Sequence, residues 1–134
     1  MRHRPRSRWR HGNRWNVHAR VERFTEPALL LLLSERPAHG YELLERLPEL
    51  TGSQPVEMGN LYRLLRGLEE EGIVTSEWDG SAPGPAKRRY ALTPDGVRLL
   101  HHWVEALGHA GKRIEALIDR YERREEVNHA SRTP

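Results

Sequence analysis

The segment from Met58 to Thr93 constrains the chain more than any other, because the spacing of its apolar residues changes along it. In MGNLYRLLRGLEEEG, Leu61, Leu64, Leu65 and Leu68 recur at the i, i+3, i+4, i+7 spacing of one buried helical face, while Gly59, Tyr62, Arg63 and Arg66 project from the other. IVTSEW from Ile73 and KRRYAL from Lys87 then read as strands around DGSAPGPA, whose Gly80, Pro83, Gly84 and Pro85 exclude regular structure. Thr93, Pro94 and Asp95 follow as the cap and first turn of another helix. Helix, strand, turn, strand and helix in that order describe a winged helix-turn-helix. A cationic hairpin beside a basic, aromatic helix face suits DNA.

Further segments extend the pattern: Leu29-Leu30-Leu31-Leu32-Leu33-Ser34, Pro37-Ala38-His39-Gly40-Tyr41-Glu42-Leu43, Asn60-Leu61-Tyr62-Arg63-Leu64-Leu65, Leu68 to Val74, and Arg89-Tyr90-Ala91-Leu92-Thr93-Pro94-Asp95-Gly96. In this order and spacing, over residues 26 to 107, they resemble the PadR family of bacterial transcription regulators, named for repressors that respond to phenolic acids. Two departures stand out: Pro48 inside the second helix, and Glu57-Met58 where the family usually starts its third helix with Ser or Thr and Pro. The resemblance implies a mainly α fold with a small β-hairpin (α+β), a winged helix domain over 25–92 and a C-terminal dimerisation helix over 93–126. It also implies a homodimer that represses by occluding a promoter, and an aromatic effector bound between the last helices and the first.

Composition narrows the class. At 134 residues the chain is one domain, and with no cysteine it has neither a disulfide framework nor a thiolate nucleophile, which fits a reducing cytoplasm. The longest apolar run, Ala28 to Leu33, is too short to span a bilayer, so no membrane partner is expected. Residues 1–24 hold eight arginines against the single acid Glu22, a net +7 in a chain whose total is +3. Arg2, Arg4, Arg6, Arg8 and Arg10 alternate, and Pro5 and Gly12 interrupt, so no amphipathic helix emerges. The stretch reads as a flexible arm whose Arg4, Arg6, Arg8, Arg10 and Arg14 track phosphates or a minor groove, with a solubilising tail as the alternative.

The first helix is expected from Glu26 to Arg36, closed by Pro37 and buried nearly all round by its five leucines. The second starts near His39, buries Leu43, Leu44 and Leu47, and closes or kinks at Pro48. In the last helix Val97, Leu100, Val104, Leu107, Gly111, Ile114, Ile118 and Tyr121 alternate steps of three and four, a heptad seam that predicts a dimer interface. A helix of about 30 residues, roughly 45 Å, overruns one small domain and needs a partner. Gly108 and Gly111 invite a bend, and residues 127–134 are expected to fray.

For DNA, Asn60 suits a base edge, Tyr62 a phosphate or thymine methyl, and Arg63 and Arg66 a guanine or backbone oxygen; Glu69, Glu70 and Glu71 repel phosphate from the other end of the helix. On the second strand Lys87 and Arg89 share the face expected to meet DNA, with Arg88 and Tyr90 turned inward. Solvated charges that merely keep an edge strand soluble are the plain alternative. Trp103, beside the seam, is the candidate contact for an effector, set against an ordinary packing tryptophan. His101, Glu105 and His109 share a face at metal-ligand spacing but lack a further defined ligand, so no metal or cofactor is expected. No acid/base pair, phosphate loop or nucleophile motif points to an enzyme. The rival functions are a nonspecific architectural DNA-binding protein and a protein-interaction module.

Overall fold

The computed structural model describes residues 8–12, 14–17, 24–52, 56–81, 84 and 87–132. Its elements are β1 (Arg8–His11), β2 (Arg14–Val17), α1 (Thr25–Glu35), β3 (Ala38–His39), α2 (Gly40–Thr51), α3 (Met58–Glu70), β4 (Val74–Asp79), β5 (Lys87–Leu92) and α4 (Pro94–Arg132). Within the stretch expected to be a flexible arm, β1 and β2 pair antiparallel, Arg8 with Val17 through His11 with Arg14, around Gly12 at φ 63. Arginine at every second position is the period of a strand, so the alternation that excluded a helix also permits this hairpin.

The core is leucine from three helices. Leu29, Leu30, Leu32 and Leu33 of α1 meet Leu43 and Leu47 of α2 and Leu61, Leu65 and Leu68 of α3, with Val74 and Tyr90 closing the sheet side. Only Leu31 of the five-leucine run is exposed, because α2, β5 and α4 of the same chain surround α1. Pro37 ends this helix through its neighbour: a residue before proline avoids the helical region, and Arg36 is extended at φ −169, ψ 153.

Beyond Pro37 the chain forms β3, whose Ala38 and His39 pair with Tyr90 and Arg89, so the expected hairpin is the larger part of a three-stranded sheet ordered β3-β5-β4. Two residues carry too little alternation for a strand to be read from sequence. Pro48 does not close α2. The helix runs on to Thr51, whose hydroxyl bonds to the Leu47 carbonyl (3.0 Å), and stops on Gly52 at φ 82, a left-handed position suited to glycine.

The α3–β4 turn and the start of α4 form one joint. Gly72, at φ 78, reverses the chain, and the amide of Ile73 donates to the Leu68 carbonyl (2.8 Å). The Thr93 amide donates to the Ile73 carbonyl (3.0 Å), and the Thr93 hydroxyl reaches the Gly72 carbonyl (2.6 Å) and the Ile73 carbonyl (2.9 Å). The same hydroxyl accepts the Gly96 amide (3.1 Å), the N-cap that Thr93 was expected to supply. Gly96 sits tightly against this joint.

From there α4 continues for 39 residues without a break. Gly108 and Gly111 each cost only about 1 kcal/mol in a helix interior, too little to interrupt one flanked by strong helix formers. The fray expected beyond Glu126 is helix to Arg132 instead, consistent with the absence of Gly and Pro before Pro134. The seam is also divided. Leu100, expected at the dimer interface, packs with Leu99 and Trp103 against the core of its own chain, because the first turns of α4 lie on α1 and β5. Leu107 is half-buried, and Val97, Val104, Ile114, Ile118 and Tyr121 are exposed.

Two glycines of α4 should respond oppositely to alanine. At Gly96 a Cβ would stand 2.3 Å from the Ile73 carbonyl oxygen, a backbone atom locked in the joint, so Gly96→Ala is expected to lower stability by about 1–3 kcal/mol. At Gly108 an added Cβ meets nothing within 4 Å, and Gly108→Ala is expected to raise stability by up to about 1 kcal/mol. Denaturant unfolding of both variants checks this; equal shifts would refute the joint.

Candidate nucleic-acid interface

On α3, Asn60, Tyr62, Arg63 and Arg66 lie opposite the buried Leu61, Leu65 and Leu68, and all four are exposed. The helix begins at Glu57 in extended geometry, with no side-chain cap and no acid in its first turn. Its N-terminal amides, with their partial positive charge, therefore remain open to an anion. Tyr62 also serves the packing, because its ring lies against Gly40 so closely that a Cβ there would stand 2.8 Å from the tyrosine oxygen. Glycine at this point lets α3 approach the start of α2.

The wing, β4 and β5, pairs Ser76 with Tyr90 and Trp78 with Arg88, which puts these four on the face that looks at α3. Ser76 donates to Glu69 of α3 (2.5 Å) and accepts from Arg88 (2.8 Å), so one hydroxyl ties the wing to α3. Arg88 lies 4.7 Å over the Trp78 ring, and Lys87 Nζ is 4.3 Å over Tyr41. As expected, Tyr90 is buried and burial, ahead of the Glu69 charge, pushes its hydroxyl up from the usual value. Arg89 differs from its expected role. Its guanidinium is 3.0 Å from Asp79 Oδ2, an ion pair that removes it as a free cation for phosphate. Among the described residues Arg63, Arg66 and Lys87 have no carboxylate partner.

His39 connects the sheet to α2. Its amide donates to Glu42 Oε1 (3.1 Å), its Nδ1 is 2.6 Å from the same oxygen, and its Nε2 is 3.0 Å from Asp79 Oδ2. The ring thus meets a carboxylate oxygen through each of its nitrogens. Burial raises the Glu42 carboxyl, but the His39 side chain, its amide and the charges of His39 and Arg36 outweigh burial and leave it below its usual value. At Asp79, the Ser81 hydroxyl and amide, joined by Arg89 and His39, hold the carboxyl at about 2. The tip of β4 is thus fastened to the start of α2.

Between α3, the wing and the start of α2 lies a cleft of about 580 Å³ lined by Tyr41, Tyr62, Trp78, Arg66, Lys87 and Arg88, among others. Of these, sequence reading chose Tyr62, Arg66 and Lys87 and missed Tyr41, Trp78 and Arg88, as it missed the link from His39 to Asp79. The alternation of Trp78 with Ser76 was the available signal. Arg4 and Arg6 fall outside the described residues; Arg8, Arg10 and Arg14 lie in β1 and β2, and their side chains fall outside the description too. Trp103 is half-buried, and its indole N–H donates to Glu26 of α1 (2.7 Å), the behaviour of a packing tryptophan. His101 pairs with Glu105 (3.0 Å).

The Asp79 anchor has a defined acid limit. Because its folded value of about 2 lies below the ordinary 3.8, its contribution to stability is fully present above pH 3.8 and is lost as pH falls toward 2. The gap in thermal midpoint between the native chain and Asp79→Asn should therefore be constant above about pH 4 and close on acidification. A gap independent of pH in that window would show that the carboxylate does not anchor the wing.

Residues 29–102 match the family described as the transcriptional regulator PadR-like family. Among solved structures the chain is similar to the candidate transcriptional regulator TA0346 from Thermoplasma acidophilum, at 35% identity over 71% of this chain and 90% of that one, TM-score 0.62. It is also similar to the PadR-like transcriptional regulator BC4206 from Bacillus cereus, at 25% identity over 69% and 89%, TM-score 0.62. Bacillus subtilis PadR in complex with operator DNA is 28% identical over 61% of this chain and 47% of that one, TM-score 0.54. No curated protein matches the chain. With the family pattern covering most of the winged helix and the first turns of α4, the chain belongs to the PadR-like family of transcriptional regulators.

Proposed function

We propose that the chain is a homodimeric repressor that binds a two-fold related duplex site through the N-terminal half of α3 and Lys87 of the wing. The observation that carries this reading is the distribution of unpaired charge. Arg63, Arg66 and Lys87 lack carboxylate partners among the described residues, and the first turn of α3 holds no acid beyond the exposed Glu57 at its N-cap. The carboxylate of Glu69, farther along the helix, is bound to Ser76. Phosphate is drawn to the first region and repelled from the end bearing Glu70 and Glu71. The relative crystallised with operator DNA supports duplex DNA as the partner.

Self-association is supported by α4. At about 1.5 Å per residue its 39 residues reach roughly 58 Å, well beyond a small domain. Its outer part carries Ile114 (57% exposed), Leu117 (72%), Ile118 (48%) and Tyr121 (61%), apolar side chains that a second copy would cover. A two-fold pair presents two copies of α3, which must meet major grooves about 34–36 Å apart. The indole N–H of Trp103 is bound by Glu26, an arrangement shared by a packing tryptophan and by one whose ring stacks on an aromatic effector.

Two kinds of variant separate reading from assembly. On duplexes selected from a random pool, Arg63→Ala is expected to cost about 1–3 kcal/mol and relax preference at one position, whereas Lys87→Ala should weaken all sequences alike. Equal affinity of the native chain for selected and scrambled duplexes would sink the sequence-specific reading. Ile118→Glu should sediment as a folded monomer, since it places a charge in each half of a desolvated interface; a persistent dimer would move the interface elsewhere.

A further inference from the structure

The cleft between α3 and the wing sets exposed aromatic rings beside cations already proposed for duplex binding. Trp78 is 63% exposed, and Tyr41 and Tyr62 are each 40% exposed, so three aromatic rings reach the same opening. In a duplex the π faces of the bases are hidden in the stack, and proteins meet groove edges and phosphates instead. The flat face of an exposed ring is used fully only when a base is unpaired and can lie against it. The charge around the rings points the same way. Arg66, Lys87 and Arg88 line the cleft with Glu69 as their carboxylate neighbour, and Glu69 is already hydrogen-bonded to Ser76 (2.5 Å). Its volume, about 580 Å³, lies within the range of about 300–1,000 Å³ typical of small-molecule sites.

We infer that this cleft binds an unpaired nucleotide, with the base stacked on Trp78 and the phosphate held by Lys87 and Arg66. Arg88, already over the indole at 4.7 Å, backs the stack and contributes charge. Lys87, over Tyr41 at 4.3 Å, has no carboxylate partner among the described residues to leave before it meets a phosphate. The same recognition serves a free nucleoside monophosphate or one unpaired residue of a strand, and it rests on rings and cations held by the wing, α3 and the start of α2, of which Arg66 and Lys87 also belong to the proposed duplex interface.

The full chain is titrated with thymidine monophosphate, with thymidine, and with a short single-stranded oligothymidylate, each followed by tryptophan fluorescence and calorimetry. Saturable binding of the monophosphate, with quenching that disappears in Trp78→Phe, is expected, while thymidine should bind at least tenfold more weakly. Trp78→Ala should reduce affinity roughly tenfold or more, and Lys87→Gln should weaken the monophosphate but leave thymidine unchanged. If the oligonucleotide binds and the monophosphate does not, the site takes a strand; if both bind alike, it takes the free nucleotide. Absence of binding by both, equal affinity for thymidine and its monophosphate, or nucleotide binding unaltered by both Trp78→Ala and Lys87→Gln would overturn the assignment. Duplex binding by the native chain and by Trp78→Ala reports separately on the proposed function.

Discussion

The contact on which the architecture turns is the close approach of Gly96 to the Ile73 carbonyl, with Thr93 bonded to both Gly72 and Ile73. Three elements meet there: the end of α3, the residue just before β4 and the first turn of α4. A side chain at Gly96 would separate them, and without the Thr93 hydroxyl the Gly96 amide would lack its cap. The joint therefore sets the direction in which α4 leaves the domain relative to α3. In a helix of this length, direction decides where a partner can sit.

A second set of constraints holds the wing. A two-stranded hairpin is marginal by itself, and this one is stabilised from both sides: Ser76 reaches α3 through Glu69, and Asp79 reaches the start of α2 through His39. Using acids for these ties has an electrostatic consequence. Glu69 and Asp79 are engaged within the protein and Glu57 stands exposed at the cap of α3, while Arg63, Arg66 and Lys87 lack a carboxylate partner among the described residues. Arg89 is the exception, a basic residue consumed by the fastening. The same compactness keeps Trp78 and Tyr41 at the surface, because the core is already filled by leucine and Tyr90.

Much of this was legible in the sequence. Leu61, Leu65 and Leu68 gave the buried face of α3, Thr93 and Pro94 marked the start of α4, and the strand boundaries fell within about one residue, since each rests on a local rule of periodicity, capping or turn chemistry. What escaped depends on contacts distant in sequence. His39 and Asp79 are 40 residues apart, and Trp103 and Glu26 are 77 apart, so no periodicity links them. Arg89 was assigned by strand face alone, and the face was insufficient because Asp79, two pairs along the ladder, reaches across it. Pro48 was given too much weight: near the end of α2 the remaining turn survives it, and Gly52 provides the stop. Leu100 fits a heptad as well as it fits the domain core, and only the packing of α4 on α1 distinguishes the two.

The length of α4 also gives its attachment leverage. A tilt of about 5° over its roughly 58 Å displaces its far end by about 5 Å. Two attachments resist such a tilt: the joint at Thr93 and Gly96, and the Trp103 to Glu26 hydrogen bond that ties α4 to α1 about two turns beyond Gly96. The joint involves backbone atoms and a tightly packed glycine, so changing it would disrupt the domain. The Trp103 bond is different in kind, a side-chain contact to a carboxylate worth about 1.5–3 kcal/mol, comparable with the coupling of about 1–3 kcal/mol that connects two sites in a regulated protein.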